Sequence, residues 1–221
     1  MSQSHTERTK KTEETEEDNF ANNRNRLSVF RPSLYAEIHN VVASVDLQSR
    51  FKLDKVLTTL PPKFPSIDVS YIPENFPGVI LKFRNPKVTI LLFSSGKIVV
   101  TGARNTKIID DAIETIVKVM REIGYSMKKK PIITIQNIVA ASNLTKKVNL
   151  ELAALLMEHS LYEPEQFPGL IFRMPDPKLV LLVFQSGKLV ITGGRNPDHI
   201  LIAVNRLYDI LDEIQAFHQD F

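Results

Sequence analysis

The chain contains one long string twice. Residues 76–105 read FPGVILKFRNPKVTILLFSSGKIVVTGARN and residues 167–196 read FPGLIFRMPDPKLVLLVFQSGKLVITGGRN, in a register of 167 − 76 = 91 that is still 196 − 105 = 91 at the far end. About half of the aligned positions are identical. An earlier pair, NVVASVDL from Asn40 and NIVAASNL from Asn137, repeats at 137 − 40 = 97, so the halves differ by a short insertion or deletion. Self-similarity of this kind constrains the fold before any local propensity does. Two long copies are too few for a solenoid, and they predict one pseudo-twofold domain that works symmetrically.

Composition narrows the class. Of the 221 residues 43% are apolar and 24% charged, ordinary values for a globular protein. The absence of cysteine excludes disulfide frameworks and thiolate metal sites. The five histidines, His5, His39, His159, His199 and His218, show no ligand spacing, so no metal or other cofactor is expected. No apolar run approaches the roughly 18 residues of a membrane span, and the charged N-terminus does not read as a signal peptide. A soluble, intracellular protein with no membrane partner is the expectation. The net charge of +3 allows an anionic partner without requiring one. Residues 34–126 hold 12 Lys and Arg against 9 Asp and Glu, while residues 127–221 hold 10 against 10, so the excess lies in the first repeat.

Along the chain, residues 1–33 read as a disordered tail: polar and aperiodic up to Leu27, they lack the apolar surface to offset ordering entropy. The first repeat, 34–126, is predicted to run strand 37–46, helix 51–60 stopped by Pro61-Pro62, strand 66–72, strands 79–84, 87–94 and 97–102, and helix 106–123 ended by Gly124. Asn85-Pro86 and Ser94-Ser95-Gly96 punctuate the hairpins. The second repeat, 127–221, is predicted as strand 132–142, helix 148–158, strands 169–174, 178–184 and 188–193, and helix 197–216. Two meanders joined edge to edge make one curved antiparallel sheet with helices on its convex face, an α+β architecture.

The strands after each FPG turn are apolar at nearly every position. Thr89, Leu91 and Phe93 share one face of a strand whose other face is Val88, Ile90 and Leu92. Two helices per repeat cover about one face, and an antiparallel sheet covered on one side should alternate. The second face would then be an exposed apolar patch of a size that marks a binding surface. A further domain, a dimer partner or the tail could cover it. Its rim favours another occupant: Lys82 and Arg173, Lys97 and Lys188, and Arg104 and Arg195 stand at equivalent places, as a groove for a nucleic-acid backbone requires. Asn40 and Asn137, near the pseudo-twofold axis, carry amide donors suited to the acceptors of the minor groove.

With these residues in view, the chain resembles the TATA-box-binding protein family, the saddle-shaped general transcription initiation factors of archaea and eukaryotes. The resemblance covers residues 36–217 and rests on Gln136-Asn137-Ile138-Val139, on Tyr162-Glu163-Pro164-Glu165 before Phe167-Pro168-Gly169, and on the two SGK-x-V-x-TG strands. It implies that Phe76, Phe93, Phe167 and Phe184 are intercalating wedges. It implies a central base-contacting strip of Asn40, Val42, Thr101, Asn137, Val139 and Thr192, with Leu91, Val99, Leu182 and Val190 against sugars and base edges. Lys82, Lys97, Arg173, Lys188, Ser95 and Ser186 would take phosphates. Glu163 and Glu165 match the family's contact for transcription factor B, which recruits RNA polymerase.

The implied partner is therefore double-stranded promoter DNA of the TATA-box type, bent by Phe insertion, with no catalytic group and no enzyme activity. The apolar face also allows a homodimer of the free protein. The alternative is a paralogue whose concave sheet serves a protein partner. A phosphate loop in the SGK strings is disfavoured because the flanking residues of that motif are missing. Departures from the family pattern are His39 where Gln136 stands in the second half, and Lys82 where arginine is common. The segment Tyr71-Ile72-Pro73-Glu74-Asn75 lacks the basic residues of nuclear members, which with the absent cysteines indicates an archaeal type. The expected location is cytoplasmic and nucleoid-associated for an archaeal protein, nuclear for a eukaryotic one.

Overall fold

A computed structural model describes the backbone of residues 26–28 and the whole of residues 34–218. The first repeat consists of β2 (Tyr35–Asp46), α1 (Leu53–Lys63), β3 (Asp68–Ser70), β4 (Val79–Arg84), β5 (Lys87–Leu92), β6 (Lys97–Ala103) and α2 (Thr106–Glu122), preceded by β1 (Arg26–Ser28). The second consists of β7 (Ile132–Asn143), α3 (Leu150–Leu156), β8 (Ser160–Leu161), β9 (Leu170–Met174), β10 (Leu179–Val183), β11 (Lys188–Gly194) and α4 (Pro197–Glu213). All strands join one antiparallel sheet in the order β3-β4-β5-β6-β2-β7-β11-β10-β9-β8, with β1 added to β2. The order is a palindrome about β2 and β7, whose ladder is the seam between the repeats. The expected α+β fold, a curved sheet with helices on the convex face, is what forms.

Period-two alternation decides what is core. On one face Val41, Ala43, Ile90, Leu92, Ile98 and Val100 of the first repeat are 0% exposed. Ile138, Leu181 and Ile191 repeat that burial in the second. They pack on Ile109, Ile113, Ile116 and Met120 of α2 and on Ile200, Val204, Leu207 and Leu211 of α4, the apolar stripes of two amphipathic helices. Both helices begin alike, with Asn105 accepting from the Ile108 amide and Asn196 from the Asp198 amide. Both also end alike. Tyr125 N–H bonds to the Met120 carbonyl and Ala216 N–H to the Leu211 carbonyl, each across a residue at positive φ, Gly124 at 86° and Gln215 at 55°.

Four expectations are corrected. Pro61 and Pro62 lie inside the last turn of α1 instead of ending it. Their ring-fixed φ suits a helix, and the chain leaves only at Phe64, whose N–H still reaches the Leu60 carbonyl. Helix 148–158 is shorter, Leu150–Leu156, because the chain must turn back to lay β8 on β9. β8 itself went unread, since two residues carry no periodicity. The tail expected to be unstructured contains β1, which pairs Arg26, Leu27 and Ser28 with Glu37, Ala36 and Tyr35. β6 pairs with β2 only from Val41 to Asp46, so the edge at Tyr35–Glu37 has unmatched donors and acceptors for another strand. Residues 1–25 and 29–33 lie outside the described residues. Among the described residues no helix is long and apolar enough to cross a membrane.

Candidate nucleic-acid interface

The face opposite the helices is an apolar floor without a protein layer among the described residues. Val42, Leu91, Val99, Thr101, Val139, Leu182, Val190 and Thr192 all lie on it, each half-buried, and all but the two threonines, which precede the exposed Gly102 and Gly193, stand between buried neighbours in their own strand. The ladders set them side by side: Leu91 faces Val99, Leu182 faces Val190, Val42 faces Asn137 and Asn40 faces Val139. The structure thus unites the strip and flanking residues that the sequence implied, keeps Thr89 on the face of Leu91, and adds Ile80, Ile171 and Val180 in the same register. Those additions were legible in the alternation, since each is one or more even steps from a named neighbour in its own or its paired strand.

At two opposite corners stand paired phenylalanines. The Phe76 and Phe93 ring centroids are 5.6 Å apart at 62°, and those of Phe167 and Phe184 are 5.8 Å apart at 63°, both edge-to-face. Their backbones are pinned. Phe76 N–H donates to the Ile72 carbonyl and Phe167 N–H to the Glu163 carbonyl, each at 2.9 Å. Phe93 and Phe184 N–H donate across their turns to Lys97 and Lys188. The glycines of the FPG strings make the pairing possible. A Cβ on Gly78 would sit 2.8 Å from Phe76 Cε1 and 3.1 Å from Phe93 Cε1, and one on Gly169 would sit 2.8 Å from Phe167 Cε1 and 3.1 Å from Phe184 Cε1. All four rings remain partly exposed, which is unusual for aromatics that could have been core.

The two asparagines hold a matching pose at the centre. Asn40 Oδ1 accepts from Gly102 N–H at 2.8 Å, and Asn137 Oδ1 accepts from Gly193 N–H at 2.8 Å. Because the oxygen is engaged by a backbone donor, the amide cannot be flipped without facing N–H to N–H. The Nδ2 donors are left toward Thr101 Oγ1 at 3.4 Å and Thr192 Oγ1 at 3.2 Å, and toward the open floor. Both glycines sit at φ of 91°, in bulges where the β6 and β11 pairings shift register. Only a residue without Cβ adopts that angle freely, and the angle aims the amide at the asparagine.

Cations surround the floor. Lys82, Lys97, Arg173 and Lys188 are exposed, as are Ser95 and Ser186 in the turns that follow Phe93 and Phe184. Lys82 joins His39, Arg84, Lys87 and Arg104 around a hollow of about 610 Å³. Arg173 joins His159, Lys178, Arg195 and His199 around one of about 1150 Å³ at the pseudo-equivalent place. Arg84 and Lys87, two residues from Lys82 and Thr89 in β4 and β5, were within reach of the alternation, whereas Lys178 lies in a turn and carries no facial periodicity. One cation is partly spent: Arg84 lies 3.7 Å from Asp68 in an exposed pair. Glu163 and Glu165 are exposed in the turn that pins Phe167.

Comparison with known proteins agrees with this geometry. The sequence model of the family described as transcription factor TFIID (or TATA-binding protein, TBP) matches residues 36–123 and 132–214. The TATA-box-binding protein of Sulfolobus acidocaldarius is 46% identical over 179 residues, 81% of this chain and 88% of the relative. That of Pyrodictium occultum is 44% identical over 185 residues, 84% of this chain and 90% of the relative. The solved structure of Methanococcus jannaschii TBP superposes with a TM-score of 0.73 at 39% identity, covering 80% of this chain and 98% of that one. These relatives are archaeal, as the sequence indicated. A phenylalanine pair at each corner, a paired amide at the centre and a family match through both repeats have one reading: the chain belongs to the TATA-binding protein family, whose members are DNA-binding transcription factors and not enzymes.

Proposed function

We propose that this protein is a general transcription initiation factor that binds the minor groove of A/T-rich, TATA-box promoter DNA on its concave sheet. It bends the duplex by inserting Phe76 and Phe93 at one end of the box and Phe167 and Phe184 at the other. The observation that carries this reading is the symmetric pair of partly exposed phenylalanine clusters flanking fixed asparagine donors. The A·T minor groove offers only the acceptors adenine N3 and thymine O2, which the Asn40 and Asn137 amides complement. Unstacking a base step costs about a few kcal/mol, a figure for which this family is itself a reference case. Burying a Phe returns roughly 1.5–3 kcal/mol, so four rings can offset two kinks. Lys82, Lys97, Arg173, Lys188, Ser95 and Ser186 hold phosphates beside the kinks, and the cations add affinity by releasing counterions. Bound to promoters, the protein works at the nucleoid.

The exposed Glu163–Glu165 turn is the surface we assign to transcription factor B, through which RNA polymerase is recruited. The test of the DNA reading is binding to a labelled A/T-rich duplex with a central TA step against a G/C-rich control, at two salt concentrations, with end-to-end energy transfer to detect the bend. Tight, salt-sensitive, A/T-selective binding with a bend supports promoter reading. Binding without selectivity, or none, passes the concave face to a protein partner. For the second surface, Glu163→Arg is expected to leave DNA binding intact and abolish the ternary complex; a normal supershift with transcription factor B would remove Glu163 from that role.

A further inference from the structure

Among the differences between the two halves of the floor, one exchanges a neutral side chain for a carboxylate. At the 97-residue offset of 137 − 40, Glu37 of β2 corresponds to Thr134 of β7. The neighbours of Glu37, Ala36 and Ile38, are 0% and 5% exposed against the helices, which turns Glu37 toward the concave side. There it borders a hollow of about 510 Å³ with Tyr35, Ala141, Phe184, Lys188 and Val190. In the β2–β7 ladder Glu37 lies opposite Ala141, next on the concave side after the Asn40–Val139 pair, between the central asparagine and the Phe184 corner. Thr134 holds the mirror place, opposite Ser44 on the way to Phe93. Glu37 is half-buried, its backbone lies in the ladders with Ala141 and Arg26, and its carboxylate has no hydrogen bond or ion pair with the side chain of another residue among 34–218.

We propose that Glu37 is a specificity-determining residue that gives the DNA-binding face a polarity. Resting on the promoter-binding function above, its carboxylate accepts a hydrogen bond from the N2 amino group of a guanine, so the half-site under Phe184 takes a G·C pair where the half-site under Phe93 takes A·T. An ionised carboxylate only accepts. Against an A·T pair, whose minor-groove edge also only accepts, it is desolvated with no partner. Guanine N2 is the one base donor in that groove. The Thr134 hydroxyl both donates and accepts, and it is neutral, so it meets an A·T edge without cost. The two orientations of the saddle on an asymmetric box then differ in energy, although the wedges, asparagines and most rim cations are duplicated.

The experiment is selection from a randomised duplex library with the full chain and with Glu37→Thr, followed by titration of two duplexes carrying one A·T to G·C change in either half of the selected box. The wild type is expected to enrich G·C in one half only and to prefer that duplex over its mirror image by roughly tenfold. Glu37→Thr is expected to select A·T in both halves and bind the two duplexes alike. Glu37→Gln, which keeps the size and restores a donor, is expected to accept A·T as well as G·C. A wild-type box with A·T in both halves, or an unchanged preference in Glu37→Thr, would overturn the assignment. So would a uniform gain in affinity for every duplex, which would turn the carboxylate toward a phosphate. Failure of the wild type to select any A/T-rich duplex would instead overturn the promoter reading, and this proposal with it.

Discussion

In the function proposed above, Phe184 is a side chain that is costly to the free protein and needed in the complex. Its ring packs edge-on against Phe167 at 5.8 Å, yet remains partly exposed at the corner of the floor. Removing it takes away about half of a core phenylalanine's burial in the free protein, on the order of 1 kcal/mol. In the proposed complex it takes away a whole wedge, worth roughly 1.5–3 kcal/mol, a loss of about ten- to a hundredfold in affinity. Phe184→Ala is therefore expected to unfold within a few degrees of the wild type while losing most of the bend at that end of the box. Calorimetry and energy transfer across a doubly labelled duplex measure the two. Unchanged bending would return Phe184 to the core.

At the scale of elements, the repeats solve the same problem with unequal residues. α2 and α4 both end by crossing a residue in the left-handed region, and the first repeat uses Gly124 where the second uses Gln215. A side chain at that φ is strained, by roughly 1 kcal/mol. Gln215→Gly is accordingly expected to stabilise the protein by about 1 kcal/mol, read from the urea midpoint at constant slope, without altering DNA affinity. A neutral or destabilising effect would show that the Gln215 side chain contributes more than the strain it imposes. The bulges at Gly102 and Gly193 are the functional counterpart, since both repeats keep glycine where the backbone amide must reach an asparagine.

Over the whole molecule, the proposed function divides DNA affinity into an apolar part from the floor and an ionic part from the rim. Only the ionic part depends on salt, with log K falling by about 0.9 per phosphate neutralised. Lys188→Ala is thus expected to reduce the salt slope by about one unit and to weaken binding similarly on all duplexes. Phe184→Ala is expected to lower affinity at an unchanged slope. Fluorescence titration at several salt concentrations distinguishes them. Equal slopes for Lys188→Ala and wild type would remove Lys188 from the phosphate contacts.

Much of this was readable from the chain because a duplicated string reports on itself. The 91-residue register, the alternation of Leu91 and Phe93 against Ile90 and Leu92, and the equivalent cations depend only on spacing, and spacing is local. A strand that is apolar on both faces implies a second binding surface before any contact is known. Other features needed the folded chain. The positive φ of Gln215 and the pairing of β1 with β2 depend on partners distant in sequence. So do the helical placement of Pro61 and Pro62, the two-residue β8, and the orientation of the Asn40 and Asn137 amides. Glu37 is the clearest case. In the sequence it is one acid among 25, and only the β2–β7 ladder sets it on the apolar floor beside Ala141, in the path from Asn40 to Phe184. Sequence by itself determined the twofold plan, because side-chain period is a property of the backbone. The tertiary structure decided where that plan is broken, because a residue's face is set by the strand it pairs with.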